Sequence, residues 1–418
     1  MGEGWRWVRG GDGGGVCVCV CVCVCVSASF YSLCLYFSEQ SSGVSQGMGC
    51  KEVIEVYDSS DGEVEVEVIE VCDSSDEDVG EDGEEWEDGE VCMSSIDAKL
   101  CGLRENGWCV VSGVLTPAEV EGAIEDFWEW AEAILGVQRE SEEVLRSDGW
   151  FATLHGIIKH YGVGQSKMMW NLRLHPGIQA LFRRVWGCND GDDLITSFDG
   201  CSVVRPPEGS RRLTFDAARK PWFHVDQTPG TSANNKIAGT SWGLKAVQGG
   251  VNLYDSDEDD ACFYILTGSH SYHEEFFFVH AMEWEKTPSG DFFMLSEAHI
   301  EWYESKGCTR MSVPVKSGSV TLWDSRLVHC SKPPNANRAH PFRWRLTAFV
   351  CMMPRALCHP RVLERRKEIV RTNRTTCHWP NQPRVNTVRP RETHLKGLPV
   401  YKDEECYVKK NAACLKLV

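Results

Sequence analysis

No Cys-x-x-Cys pair occurs anywhere in the 418 residues, although cysteine is abundant at 21. That absence excludes zinc-ribbon and thioredoxin-like sites. The body of the chain also lacks a basic excess. Residues 101–418 hold 38 Asp+Glu against 39 Lys+Arg, so there is no electrostatic footprint for nucleic acid. No Gly-rich loop joins a strand to a helix, which argues against a nucleotide-binding α/β fold. Cys414 is fifth from the end, so there is no prenylation box. Charge is instead concentrated at one end. The first hundred residues carry 23 Asp+Glu against 4 Lys+Arg, which accounts for the formal net charge of −18.

The chain therefore divides into a low-complexity acidic arm, 1–93, expected to be disordered; a near-neutral body, 94–380, large enough for one core; and a polar extension, 381–418. Scattered cysteines imply a reducing setting, cytoplasmic or nuclear. Residues 16–37 are uncharged and long enough to span a bilayer. Their Val-Cys alternation, however, is poor helix material and matches a translated dinucleotide repeat. No membrane contact is expected unless 16–37 is a genuine anchor, and Met48 would serve as an alternative start. Two repeats follow, Val53-Ile54-Glu55-Val56 and Val68-Ile69-Glu70-Val71, each with an Asp-Ser-Ser-Asp flank. A short β-branched strand beside an acidic flank suits addition to another protein's sheet edge. The pair resembles SUMO-interacting motifs, which implies a SUMO-like or other protein partner. The alternative is a solvated tail without a core.

In the body, Thr116-Pro117-Ala118-Glu119 predicts a capped helix start, with Val120, Ile124, Phe127, Ala131 and Ile134 on one face and Gly136 as the stop. A second helix is expected after His175-Pro176. From residue 194 the texture changes to short β-rich runs separated by turns, among them Trp222–Val225, Phe263–Leu266, Ser319–Trp323 and Arg345–Met352. This predicts a mainly β fold with flanking helices, a sandwich or barrel.

Trp222-Phe223-His224-Val225-Asp226 carries the strongest local signal. Residues two apart on a strand face the same way, so His224 and Asp226 can offer an imidazole and a carboxylate to one ion. His329 supplies a second imidazole after the apolar run Val320–Trp323. Two His and one carboxylate leave positions open on the metal, as non-haem Fe(II) oxygenases require. Fe(II) so bound keeps about one positive charge. A dianionic keto acid would neutralise it, and its far carboxylate calls for an Arg fork. Arg343 and Arg345 are both candidates, facing the same way if a strand begins at Arg343.

Taken in order, Ser197-Phe198-Asp199-Gly200, His224-Val225-Asp226-Gln227, Gln248-Gly249-Gly250-Val251-Asn252-Leu253, Gly268-Ser269-His270, Trp323-Asp324-Ser325-Arg326 with His329, and Cys351-Met352-Met353-Pro354 resemble the phytanoyl-CoA dioxygenase-like family from about Asn106 to Pro380. The resemblance implies a double-stranded β-helix (jelly-roll, cupin-like) core. It implies Fe(II) held by His224, Asp226 and His329, and 2-oxoglutarate held by Arg343 or Arg345 with Gln248 lining its pocket. It further implies a dioxygenase hydroxylating a C–H bond of a small or lipid-like substrate. The alternative is an inactive β-helix binding protein recruited through the acidic repeats. Trp222 and Gln227 flank the ligands and are candidates to shape the pocket, with core packing the favoured role of Trp222. His270 is expected in a turn. The acidic run Asp255–Asp260 is expected at a solvated hairpin tip, and the aromatic-rich insert 273–310 as a lid.

Overall fold

The computed structural model describes residues 93–386 and 412–418, except 137, 140, 142–143, 145–149, 152, 154, 190–192, 207–220, 230–242 and 285–290. In the N-terminal unit, Met1–Glu87, it describes the backbone of three strands.

Those three strands, Tyr31–Cys34, Glu52–Asp58 and Val64–Glu70, form one antiparallel sheet in that order. Each acidic repeat thus has a strand, and the two strands pair with each other. Ile54 lies opposite Val68 and Glu55 opposite Glu67. β-branched alternation suffices for strands, even though directly opposed glutamates weaken the pairing. Val71, the two Asp-Ser-Ser-Asp flanks beyond Asp58 and most of 16–37 lie outside the described residues. Among the described residues no helix is long and apolar enough to cross a membrane.

The second unit, Asp88–Val418, carries the site. Helix α1 (Met93–Asn106) leads into β1 (Trp108–Val111), and α2 (Pro117–Leu135) follows. The Thr116 side chain accepts from Glu119 N, and the Glu119 carboxylate accepts from Thr116 N, closing the predicted capping box. Gly136, at φ 70°, ends the helix. Phe127, Ala131 and Ile134 enter the core as expected, while Ile124 is only half-buried. Next come β2 (Ile157–Ile158), α3 (Lys167–Leu174) and α4 (Pro176–Val185), which starts at the predicted proline. The strands then run β3 (Leu194–Thr196), β4 (Cys201–Val204), β5 (His224–Val225), β6 (Val247–Asn252) and β7 (Phe263–Leu266). The insert holds α5 (His273–Val279), α6 (Ala281–Trp284), β8 (Phe293–Met294) and α7 (Glu297–Ser305). The chain continues through β9 (Arg310–Val313), β10 (Val320–Asp324), β11 (His329–Ser331), β12 (Arg345–Val350), β13 (Met352–Pro354) and α8 (Pro360–Arg371).

Two antiparallel sheets make the core. One has the order β1-β10-β6-β12-β4-β2 and the other β8-β5-β11-β7-β9. A separate two-stranded antiparallel sheet pairs β13 with β3. This is the expected double-stranded β-helix. Alternation along β6, β10 and β12 turns Gln248, Gly250 and Asn252, Thr321 and Trp323, and Arg345, Thr347 and Phe349 toward the space between the sheets. Gly250 is required there. A Cβ would stand 2.9 Å from Thr347 Cγ2 and fill the cavity floor.

The expected boundary at 380 falls inside the body. The bridge Thr376↔Val385 and the hydrogen bond from Cys377 N to Arg384 O close a turn across it. The final residues also return to the core, with Cys414, Leu417 and Val418 buried in the main cluster. Polarity of the extension hid this, because the anchor is a single buried cation. Arg366 donates to the main-chain oxygens of Thr196, Pro380, Leu417 and Val418 at 2.6–2.9 Å.

Candidate metal centre and co-substrate pocket

Register places the two histidines side by side. His224 on β5 pairs directly with His329 on β11. Asp226 follows β5, its N–H donating to Ser325 O in the turn that delivers His329. The carboxylate Oδ2 lies 3.6 Å from His224 Nε2 and 3.4 Å from His329 Nε2. The ligand atoms of all three residues fall within 4.8 Å of one another, and all three residues are buried. His224 Nδ1 contacts Trp222 O at 3.2 Å and His329 Nδ1 contacts Leu327 O at 2.9 Å. A carbonyl only accepts, so each Nδ1 carries the proton and each Nε2 presents its lone pair inward.

The electrostatics favour the metal-binding forms. Burial, with His329 adjacent, pushes the His224 imidazole below its ordinary value. Burial works against the Asp226 carboxylate, yet the nearby His378 and His224 imidazoles hold it well below the usual range. Neutral imidazoles around a carboxylate are the protonation state that a divalent cation needs.

A cavity of about 100 Å³ opens beside this triad, lined by both sheets. Arg345 begins β12 and lines it, 6% exposed. Its Nε donates to Thr347 Oγ1 at 3.2 Å, which in turn donates to Asn252 Oδ1 at 3.2 Å. Its Nη1 is buried and makes no hydrogen bond, and neither does Thr321 Oγ1 across the same cavity. Burial pushes the guanidinium down. A buried cation with an open fork position beside an open hydroxyl fits a carboxylate. These residues therefore fit 2-oxoglutarate, as the triad fits Fe(II).

Several sequence expectations require correction. Arg343 does not line the cavity. Its Nη1 pairs with Asp257 at 2.6 Å and Asp260 at 2.7 Å. The strand begins at Arg345, so alternation never reaches Arg343. The run Asp255–Asp260 is solvated only at Glu258 and Asp259. Asp260 is buried between Arg338 and Arg343, Asp255 binds Lys316, and Lys332 reaches Glu258 O. Gln248 does line the cavity, but its Nε2 donates to Asp226 Oδ2 at 3.0 Å, orienting a ligand of the triad. The roles of Trp222 and Gln227 are reversed. Trp222 lines the cavity and stacks between His224 (4.2 Å) and His155 (4.0 Å). Gln227 is buried behind it, holding Gly243 O, Lys245 N and Ser325 Oγ. His270 sits in a short turn, as expected. The insert contributes Phe292, whose ring lies 5.0 Å from His224.

The fold and site define a non-haem, Fe(II)- and 2-oxoglutarate-dependent oxygenase, an oxidoreductase. The family model for phytanoyl-CoA dioxygenase (PhyH) matches residues 103–339, and the chain belongs to that family. Among curated proteins it is similar to "Ava biosynthesis cluster protein O" of Aspergillus versicolor, 25% identical over 286 residues, 67% of this chain and 85% of that protein. Among solved structures it is similar to SnoK, a non-heme alpha ketoglutarate dependent carbocyclase from nogalamycin biosynthesis. That match has 19% identity and a TM-score of 0.41, covering 62% of this chain and 83% of SnoK. EvdMO1 matches at 15% identity and a TM-score of 0.40 over 62% of this chain, which spans 50% of the EvdMO1 chain.

Proposed function

We propose that the protein hydroxylates a C–H bond of a small, partly apolar or lipid-like molecule. His224, Asp226 and His329 would hold Fe(II), and Arg345 with Thr321 the distal carboxylate of 2-oxoglutarate. Bound iron and 2-oxoglutarate would supply the oxidising power of O₂, with succinate and CO₂ as co-products. The protein's own contribution is positional. Carbonyl-tethered imidazoles fix the donor set, Gln248 orients Asp226, and Trp222, Phe263, Phe292 and Phe349 keep the cavity wall dry. The observation that carries the reading is the unpartnered Arg345 Nη1 in a cavity shared with the triad. The free thiols of the described residues support a reducing, intracellular setting, cytoplasmic or nuclear.

The test is anaerobic addition of Fe(II), then 2-oxoglutarate, to the full chain, watching for the visible iron-to-ketoacid band. The band should vanish in His224→Ala. In Arg345→Ala the 2-oxoglutarate dissociation constant should rise about 10- to 100-fold, the worth of a lost charge-assisted fork. Arg343→Ala should leave it unchanged. A folded protein that holds no iron would overturn the reading in favour of the inactive binder.

A further inference from the structure

The triad and the Arg345 end account for one side of the cavity. The other side is built from elements that the co-substrate does not use. Ile157 comes from β2, the far edge strand of the larger sheet, and Lys159 follows that strand; Asp199 comes from the loop after β3; His378 comes from the turn beyond α8. His378 lies outside residues 103–339, the span matched by the family model.

His378 is held in place from several directions. Thr375 Oγ1 accepts from Gly164 N, Trp379 is buried against Ala246 and Cys351, and Asn381 Nδ2 donates to Leu357 O. Arg384, closing the same turn, pairs with Asp291 beside Phe292 of the insert. So fixed, His378 lines the cavity with a buried Nε2 that makes no hydrogen bond. A pinned imidazole with an open buried nitrogen is costly unless a ligand completes it.

The charge of this wall decides what the ligand is. Among the described residues, Lys159 and Arg345 are the cations lining the cavity. Lys159 is half-buried one residue past β2, and among the described residues its ammonium forms no ion pair. Asp199 stands on the same wall, its Oδ1 accepting from Gly200 N at 2.7 Å. Burial pushes the Asp199 carboxyl up and the His378 imidazole down, so both lean toward their neutral forms. Among the described residues Lys159 is the cation of this wall, and its neighbours Ile157, Trp222 and Phe292 are apolar.

We propose that this wall is the substrate subsite and that it selects an acid: an apolar or aromatic body seated against Ile157 and Phe292, with a carboxylate bound by Lys159 and by the His378 Nε2–H donor. The proposal rests on the assignment of Arg345 to 2-oxoglutarate, and it leaves the second cation of the cavity to the substrate. His378 is a substrate-binding residue here, and the sequence ahead of it fixes only its position.

The experiment uses the full chain loaded anaerobically with Fe(II) and 2-oxoglutarate. The probes are phenylacetic, 3-phenylpropanoic and 4-phenylbutanoic acids and their primary amides, titrated while the visible band is followed. The result expected is that at least one acid perturbs the band and binds tenfold or more tightly than its amide. That preference should fall at least tenfold in Lys159→Met and in His378→Phe, while the affinity for 2-oxoglutarate stays within twofold. Acids and amides binding alike, no acid binding at all, or an acid preference that survives both substitutions would each overturn the proposal. A band that never forms in the unsubstituted protein would instead overturn the co-substrate assignment, and it is read before any acid is added.

Discussion

Gln248 illustrates how a single side chain can serve a metal without touching it. Its amide donates to the one carboxylate oxygen that both histidines approach. Gln248→Ala frees that carboxylate to rotate, and the expected outcome is a 10- to 100-fold loss of Fe(II) affinity, measured by anaerobic metal titration. The 2-oxoglutarate affinity of the metal-loaded form should change far less. Gln248→Glu should not rescue, because it sets a second carboxylate against Asp226. The proton also competes for this site. Burial and His329 lower the His224 imidazole, so protons displace iron only in more acidic solution than an ordinary histidine near 6.5 would suggest. Sequence reasoning found the three triad residues through the two-residue strand period and the second histidine. It missed Thr321 and His378, and it favoured core packing for Trp222. A threonine on a strand carries no chemical signature, and His378 follows the triad by too long a stretch of chain for spacing to connect them.

At the scale of elements, the insert is held to the core by buried aromatic rings and one buried histidine. Phe276 and Phe277 on α5 pack with Phe293 and Tyr303 in one cluster with Phe223, Val225, Leu266 and Val328 of the core. His273 opens that helix and bonds through Nε2 to Gln227 O at 2.7 Å, in contact with the layer behind the triad. Burial pushes its imidazole down from 6.5 to about 4. The unfolded chain therefore takes up a proton near pH 6.5, where the folded protein does not. Stability is fully present above that pH and falls as pH drops toward 4, by up to about 3 kcal/mol from this residue. His273→Gln keeps a donor to Gln227 O and removes the titration. Urea unfolding at pH 7 and pH 5 should show a flatter pH dependence in the variant, and an unchanged slope would refute the assignment. The helix α2 was legible in its cap, apolar face and stop. The strands were legible as runs but not at their ends. Arg343 illustrates this, since the strand starts two residues later and leaves it to neutralise Asp257 and Asp260.

At the scale of the whole molecule, the body is closed by residues far from its centre. Arg366 is fully buried, packs on Phe198 at 4.5 Å, and depends on four main-chain oxygens, two of them from Leu417 and Val418. Removing 412–418 leaves half of those acceptors missing around a buried cation. The expected cost is about 3 to 5 kcal/mol in denaturant unfolding, partly recovered by Arg366→Met in the truncated chain, which removes the unpaired charge. The sequence alone determined the class of fold and the donor set. Strand period, turn residues and the types His, Asp and Arg are local properties, and they suffice for a mainly β fold, a triad and the need for an arginine, while the β-helix was implied by the family resemblance. Only the tertiary structure decided which arginine reaches the cavity, that Gln248 serves Asp226, that the acidic turn is neutralised, and that the polar C-terminal residues complete the core. Each of those outcomes depends on strand ends, sheet register and long-range packing. Burial then sets the charge states, and a linear sequence does not contain burial.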